Sequence, residues 1–345
     1  ASAGPVRRAA DDQEGLKPVS SPPLASPVPT RRALSGSALI GLVAAVIVAI
    51  ALPIFTSGYV VYIANLLLVF VVLCLGLHIV IGETGQFSMA HAAFYGIGIY
   101  ASALANRAVD LPYPVAMLFG ALVAGAVGLF IGALALRMRD IYLALATFAF
   151  GEAMQWVFAN WDSVTNGPNG LRISPARFGP IEILSDKQAY PFVLFFCLVM
   201  IGLTVAISRS RLGRSFRAVR ESEVAAMAMG IDVRRARIVS FGLSAAIAGF
   251  AGGMFGLFQT FIHPDSLGFQ TTILVLTMVV VGGLGSIAGA IGGAIVFGLI
   301  SEVLRQAPQY QEIIYGAILI LFMMYAPRGL FAFIGDRIRE ARHGR

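Results

Sequence analysis

Long apolar stretches recur in this chain from residue 38 almost to its C-terminus, and they limit what it can fold into. Hydrophobic residues make up 58% of the 345 residues and charged residues only 12%, against roughly 25% charged residues in soluble domains. A bilayer core about 30 Å thick is crossed by a helix of around 20 apolar residues. The pattern therefore predicts an all-α fold, a polytopic bundle of membrane helices.

About ten transmembrane segments are predicted. Their approximate bounds are Ala38–Phe55, Tyr59–Ile81, Phe87–Ala105, Pro114–Leu136, Ile141–Ala159, Pro191–Ile207, Ile238–Gln259, Phe269–Val281, Ser286–Leu304 and Glu312–Ala326. Residues 33–330 are thus predicted to form one transmembrane domain. Residues 1–32, which are rich in Pro, Ser, Ala and Arg without apolar periodicity, are predicted to be a disordered cytoplasmic tail. Residues 331–345 are predicted to be a basic cytoplasmic tail.

The basic residues set the orientation of these segments. With the N-terminus inside the cell, 20 of the 25 lysine and arginine residues fall on the cytoplasmic side, as the positive-inside rule requires. Both termini are then cytoplasmic. The long connection 160–190 becomes an external loop, and 208–237 becomes the one long internal loop between spans.

The internal loop is predicted to contain a short helix ending near Gly230. Ala, Glu and Met favour a helix from Glu221 onward, and a glycine is a common left-handed stop. An apolar stripe of four side chains would lie on it: Val224, Ala225, Ala228 and Met229. Such a stripe suits docking into the groove of a partner. From its geometry alone, a helix lying on its own bundle or on anionic lipid is an equal alternative.

Polar residues inside the predicted spans are the candidates for a substrate path. Thr84, Ser88, His91 and Tyr95 recur at helical spacing, with Gln86 nearby, and are predicted to share one helical face at the start of the third span. Such groups face a bundle interior or a wet path. Hydrogen bonding within the bundle is the favoured interpretation of this stripe.

Glu152 and Gln155 form a second polar patch, three residues apart on the fifth span. A carboxylate within the membrane is by default a functional-site hypothesis. Its alternative, a protonated or hydrogen-bonded group that serves helix packing, has about equal weight. The complete set of candidate path residues is Gln86, Ser88, His91, Tyr95, Glu152 and Gln155.

One pair of glycines recurs 200 residues later in the chain. Gly82 and Gly85 recur as Gly282 and Gly285. Paired glycine-interrupted segments can mark the broken helices of transporter repeats. The predicted topology gives the two copies the same orientation, whereas inverted repeats would oppose them, so either the match is chance or one segment is re-entrant. Tight helix packing is the favoured explanation of the glycine density.

No site for chemistry is apparent in the sequence. The only lysines, Lys17 and Lys187, follow no glycine-rich phosphate loop, so no ATP site is encoded. The cysteines and histidines show no spacing typical of metal ligands, and the spans lack paired catalytic carboxylates, a Ser-Lys pair or a Cys-His pair. We expect no catalytic residue, cofactor or metal, and no nucleic-acid partner.

Four stretches in one order resemble a known family. The stretch at 213–232, GRSFRAVRESEVAAMAMGID, resembles the cytoplasmic coupling loop of ABC-importer permeases of the branched-chain amino-acid family, of the LivM type. Three further stretches are similar to that family: GETGQFSMAHAAFYGIGIYASA at 82–103, RDIYLALATFAFGEAMQWVFANWDSVTNGPNGL at 139–171 and GGLGSIAGAIGGA at 282–294. The resemblance covers residues 59–330.

The resemblance implies a type II-like ABC importer permease in the bacterial inner membrane. Its implied partners are a second homologous permease subunit, two cytoplasmic ATP-binding subunits and an external substrate-binding protein, with membrane lipid around the bundle. Residues 221–230 would be the coupling helix in an ATPase cleft, and nucleotide-driven closure would move the spans through the start of the loop. The residues that the resemblance assigns to coupling are Arg217, Arg220, Glu221, Glu223, Ala225, Ala226, Met229 and Gly230.

The expected function is inward transport of branched-chain or other small apolar amino acids by alternating access. Urea, short amides and simple sugars are alternative substrates within the same superfamily. An ion-coupled secondary transporter, in which Glu152 and His91 titrate, is an alternative of another class. It leaves the arginine-rich internal loop unexplained. An intramembrane enzyme ranks last.

Overall fold

The computed structural model describes residues 49–325 except 54, 110, 139, 179 and 180. The predicted tails 1–32 and 331–345 lie outside the described residues, as does most of the first predicted span. The chain divides into two compact units, Ala1–Ile50 and Ala51–Arg345. Only residues 49 and 50, both helical, are described in the first unit. The elements below belong to the second.

Most of the second unit is helical. Its α-helices are α1 (Gly58–Leu77), α2 (His91–Val109), α3 (Tyr113–Ala135), α4 (Asp140–Asn160), α5 (Asp162–Thr165), α6 (Asp186–Arg209), α7 (Arg211–Glu221), α8 (Glu223–Ala228), α9 (Val233–Phe255), α10 (Phe269–Gly282), α11 (Ile287–Leu304) and α12 (Pro308–Tyr325). A π-helix, His78–Glu83, continues α1, and two 3₁₀ turns span Gly167–Asn169 and Pro264–Leu267. Four two-residue strands complete the unit: β1 (Leu171–Arg172), β2 (Arg177–Phe178), β3 (Ile181–Glu182) and β4 (Phe261–Ile262).

Seven helical stretches in the described part of the chain are long and apolar enough to cross a membrane. They are Gly58–Glu83, Tyr113–Ala135, Ile141–Asn160, Asp186–Arg209, Val233–Phe255, Pro264–Gly282 and Ile287–Leu304. This supports the expectation of a polytopic helical membrane protein. The helices α2 and α12, which overlap the third and tenth predicted spans, are not among the seven.

Helix α9 lies at the centre of the bundle and packs against α1, α2 and α3. Small residues allow this close approach. A Cβ atom on Gly98 would lie 2.1 Å from the Gly249 carbonyl oxygen, and one on Gly128 would lie 2.3 Å from the Ala245 Cβ atom. Without a hydrophobic driving force between helices in lipid, such contacts between small residues hold the spans together.

The two long connections lie at opposite ends of α6, which runs for 24 residues, roughly 36 Å. Before its first residue, β1 pairs antiparallel with β4, which follows α9, in the register Leu171 opposite Ile262. After its last residue come α7 and α8. We call these two ends of the bundle the strand end and the loop end.

The start of the third span differs from its prediction. Helix α2 begins at His91, and residues 85–90 are not helical. The preceding π-helix is closed by Gly85, whose φ of 75° is left-handed, a common way for a helix to end. The backbone N–H of Gln86 then donates to the Val80 carbonyl at 2.9 Å. The prediction that Thr84, Ser88, His91 and Tyr95 share one helical face is therefore wrong.

Candidate functional site

Helix α7 is anchored on the bundle through its inward face. Ser210 caps its N-terminus by accepting a hydrogen bond from the Leu212 backbone N–H at 3.1 Å, which satisfies one of the unpaired donors of the first turn. Phe216 and Val219, three residues apart, are buried at 0% and 3% exposure. The helix thus lies flat on its own protein along one side.

A buried carboxylate ties α7 to the π-helix. Glu83, only 5% exposed, accepts from Arg217 Nη1 at 2.7 Å and from Ser208 Oγ at 2.5 Å. The His78 Nε2 atom lies 3.5 Å from the same carboxylate. A charge at a membrane-helix end is costly unless it is paired and hydrogen-bonded, so this network fixes where α7 can lie.

Sequence reasoning missed Glu83. The residue lies between Gly82 and Gly85 in the connection between the second and third predicted spans, so the rule that flagged Glu152 as an intramembrane carboxylate did not reach it. Arg217, which the resemblance assigns to linking the loop with the spans, contacts the π-helix through Glu83. Arg220 makes another contact, since its Nη1 atom donates to the Gly82 carbonyl.

Helix α8 is a separate short helix, where the sequence predicted one helix running from Glu221. Ser222, in extended conformation, ends α7 and caps α8 by accepting from the Ala225 N–H, so the chain turns between the two. Gly230 ends this segment with φ at 78°, as predicted. Glu223 forms an ion pair with Arg237 of α9 and is thereby engaged within the chain.

The apolar stripe of α8 faces outward. Val224 is 75% exposed, Met227 56% and Met229 82%, and Ala225 and Ala228 are also exposed. Ala226, which the resemblance assigned to coupling, is instead 3% exposed and belongs to the core. A partner can therefore touch Ala225 and Met229 but not the Ala226 side chain. Glu221, the last residue of α7, is exposed.

Four of the candidate path residues lie inside this single subunit. Gln86, Ser88, His91 and Tyr95 are each 4% exposed or less. The Gln86 Nε2 atom donates to Ser240 Oγ at 2.9 Å, and His91 Nε2 lies 2.8 Å from the Leu73 carbonyl oxygen. The first contact joins the segment before α2 to α9, and the second joins α2 to α1, as polar residues between membrane helices commonly do.

Glu152 lies in a different environment from those four residues. Its helix, α4, has the smallest buried share of the seven candidate spans, 17%, and the lowest mean hydropathy, 1.3. Glu152 is exposed and Gln155 is half-buried, with the Gln155 amide against Gly268. Glu152 shares a small cleft with Met89 and Ala92, the neighbours of Ser88 and His91 in the sequence, but none of the four buried residues lines that cleft. The cleft is also lined by Phe148, Phe269 and Thr272.

At the strand end, two adjoining grooves of about 530 and 420 Å³ carry arginine side chains. Arg107 and Ser174 line both grooves, Arg172 lines the first, and Arg177 lines the second. Arg177 lies 3.6 Å from Glu182 in a largely exposed ion pair. Among the residues that the structure describes, no group of three His, Cys, Asp or Glu side chains could hold a metal ion.

A bundle of membrane-length helices with an amphipathic helix pair fixed at one end defines the chain as a polytopic helical membrane protein. The chain belongs to the family described as the permease component of branched-chain amino acid transport systems, whose model matches residues 59–323.

Several curated proteins are similar to it. The chain is 34% identical to the high-affinity branched-chain amino acid transport system permease protein LivM of Escherichia coli K12, over 92% of this chain and 80% of that protein. It is 32% identical to LivM of Salmonella typhimurium over the same shares. It is 30% identical to the permease protein LivH of E. coli K12, over 76% of this chain and 90% of that protein. No solved structure matches the chain.

Proposed function

We propose that this chain is the membrane subunit of an ABC importer in the bacterial inner membrane, and that it forms half of the path for branched-chain or other small apolar amino acids. The observation that carries the proposal is α8, whose apolar side chains stand exposed at the end of a loop that is otherwise fixed to the bundle. The chain is not itself an enzyme, and ATP is hydrolysed by two partner subunits at the loop end.

The exposed side chains of α8 support an ATPase contact. A helix that presents Val224 and Met229 to water while its neighbour α7 is anchored suits insertion into a groove of another protein. Methionine adapts to irregular grooves because its side chain is unbranched and polarizable. The anchored α7 then carries any movement of α8 to the spans.

Replacing Ala225 by glutamate tests this assignment. Ala225 is exposed, so Ala225→Glu leaves folding and membrane insertion intact while it puts a charge into the proposed interface. We expect ATP hydrolysis to be uncoupled from uptake, with uptake into proteoliposomes reduced at least tenfold, the equivalent of about 1.4 kcal/mol. Ala225→Ser is the conservative control and keeps uptake. Unchanged uptake by Ala225→Glu would remove the basis of the proposal.

A second permease subunit accounts for the low burial of α4 and for the exposed position of Glu152 on it. A carboxylate such as Glu152 is disfavoured against lipid and belongs on a bundle interior or a wet path. We place this face at the junction of two permease subunits, where the path runs, with Glu152 pairing with the ammonium group of an amino acid. The buried residues Gln86, Ser88, His91 and Tyr95 shape that path from behind.

The variant Glu152→Gln tests whether the path recognises the ammonium group of an amino acid. Loss of a charge-assisted hydrogen bond of about 1.5–3 kcal/mol raises KM for leucine-like amino acids roughly tenfold or more, and leaves membrane insertion unchanged. Initial uptake rates over a range of substrate concentrations measure this. An unchanged KM would exclude Glu152 from recognition of the ammonium group.

The arginine-lined grooves support docking of a substrate-binding protein at the strand end. This assignment places segment 160–190 outside the cell and α7 and α8 inside. It requires ten spans, counting 38–55, α2 and α12 with the seven candidate spans, and both termini in the cytoplasm. Lipid covers the remaining apolar faces of the bundle.

The similar proteins favour amino acids as the substrate. Their names give branched-chain amino acid transport for both LivM and LivH, and we extend this to the present chain. Nothing in the described structure favours urea, short amides or sugars instead. An ion-coupled carrier is disfavoured because it gives no role to the exposed stripe of α8.

A further inference from the structure

Two glycine turns that are 200 residues apart in the sequence meet at the loop end. The first, residues 82–85, leads from the π-helix toward α2, and the second, residues 282–285, joins α10 to α11. A Cβ atom on Gly82 would lie 3.2 Å from the Gly285 backbone nitrogen. The repeated glycines therefore mark a contact in space. The dense packing that the sequence favoured also exists, since a Cβ atom on Gly282 would lie 2.0 Å from the Gly289 carbonyl oxygen.

One side chain of α7 touches both turns. Arg220 donates from Nη1 to the Gly82 carbonyl. A Cβ atom on Gly85 would lie 3.0 Å from Arg220 Cγ, and one on Gly285 would lie 2.9 Å from Arg220 Nη1. Gly85 and Gly285 have φ angles of 75° and 96°, in the region where a side chain is strained. Glycine at both positions thus allows the turns and leaves room for the arginine.

The two turns connect four helices. The first turn connects α1 and its π-helix with α2, and the second connects α10 with α11. One helical turn before Arg220 on α7, Arg217 donates a hydrogen bond to the carboxylate of Glu83 in the π-helix. Short π-helical segments are uncommon and occur frequently at functional sites. The helices α1 and α2 form one helical hairpin, and α10 and α11 form another. Helix α7 therefore contacts the loop ends of both hairpins through Arg217 and Arg220.

We infer that Arg220 is a positioning residue that moves the two hairpins as one unit when a partner displaces α7 and α8. The inference rests on the proposed function and adds to it the element that receives the movement. A guanidinium group suits the task because it offers five donors in a rigid plane, so the nitrogen that holds the Gly82 carbonyl lies beside Gly285 of the second turn while the stem packs on Gly85 of the first. A lysine ammonium lacks that plane.

The test uses the assembled importer, with both permeases, the ATPases and the binding protein, in proteoliposomes. Three variants are compared with the wild-type chain: Arg220→Gln, Arg220→Lys and Arg211→Gln. Arg211 is exposed on the same helix and has no side-chain contact with either turn among the described residues, so its variant matches the change in charge. The readout is substrate transported per ATP hydrolysed, normalised to assembled complex.

We expect Arg220→Gln to lower that ratio about tenfold or more, Arg220→Lys to restore part of it, and Arg211→Gln to leave it unchanged. If Arg220→Gln yields too little complex, Arg220→Lys supplies the ratio. A wild-type ratio in the Arg220 variants would overturn the inference. Failure of the ATPases to associate with the wild-type chain would instead overturn the proposed function.

A distance measurement adds a readout that a merely structural role would not change. Spin labels replace Phe87 and Leu284, one beside each turn, while the native Cys74 and Cys197 are buried. On trapping with an ATP analogue, the separation of the two labels stays constant in the wild-type complex, because the turns move together. In Arg220→Gln the separation changes or broadens. Equal behaviour of the two complexes would contradict the inference.

Discussion

Helices α7 and α8 are consecutive in one loop but direct their apolar side chains to opposite sides. On α7, Phe216 and Val219 are buried against the bundle. Val224 on α8 is 75% exposed, and Met229, which directly follows α8, is 82% exposed. An apolar stripe on a loop helix therefore does not by itself show whether the helix packs on its own chain or binds another protein. The stripe of α7 holds the loop to its own chain, whereas the stripe of α8 remains available to another protein.

The strongest test of this difference is Phe216→Ala on the inward side. Removal of a fully buried aromatic side chain leaves a cavity and costs about 3–5 kcal/mol. We expect Tm of the purified protein in detergent to fall by several degrees. Leu212→Ala on the same helix is the control, because Leu212 is 43% exposed and its loss leaves Tm nearly unchanged. Equal shifts for both variants would mean that α7 is not anchored through Phe216.

An intermediate effect is expected for Met229→Ser on the outward side. Burial of a methionine side chain in a partner contributes about 1.5–3 kcal/mol, so the ATPase subunits should bind roughly 10–100-fold more weakly while Tm stays unchanged. Binding of the purified ATPase to the immobilised permease measures this. Leu184→Ser, which alters a 72% exposed residue at the strand end, should bind the ATPase like wild type. A lower Tm for the Met229→Ser variant would mean that Met229 packs in the core of this chain.

The smallest effect is expected for Gly230→Ala at the end of α8. A Cβ atom there would meet nothing within 4 Å, so only the left-handed backbone, with φ at 78°, opposes the change, at about 1 kcal/mol. Faster hydrogen exchange in residues 223–229 would report it. Gly202→Ala on α6, also without a close neighbour, should be neutral or stabilising because its backbone is helical. Slower exchange at α8 in Gly230→Ala would contradict this account.

Several features could be predicted from the chain without its structure. The polytopic helical character follows from apolar length, and the stop at Gly230 follows from the preference of glycine for left-handed backbone. The break at Ser222 was missed, although serine is a common N-cap. Glu83 was missed because it lies between two predicted spans, and its partner Arg217 is 134 positions away along the chain.

Hydrophobicity and helical spacing are local properties, so the order of residues alone predicts a membrane bundle with an amphipathic, arginine-rich loop. Which of its polar and small residues meet depends on how the helices fold against one another. Only the folded chain brings Gly82 and Gly285 against one arginine and buries Ala226 while Ala225 stays exposed. Burial and long-range contact arise only when helices pack, so residues of the same type acquire different roles when different neighbours exclude water from them.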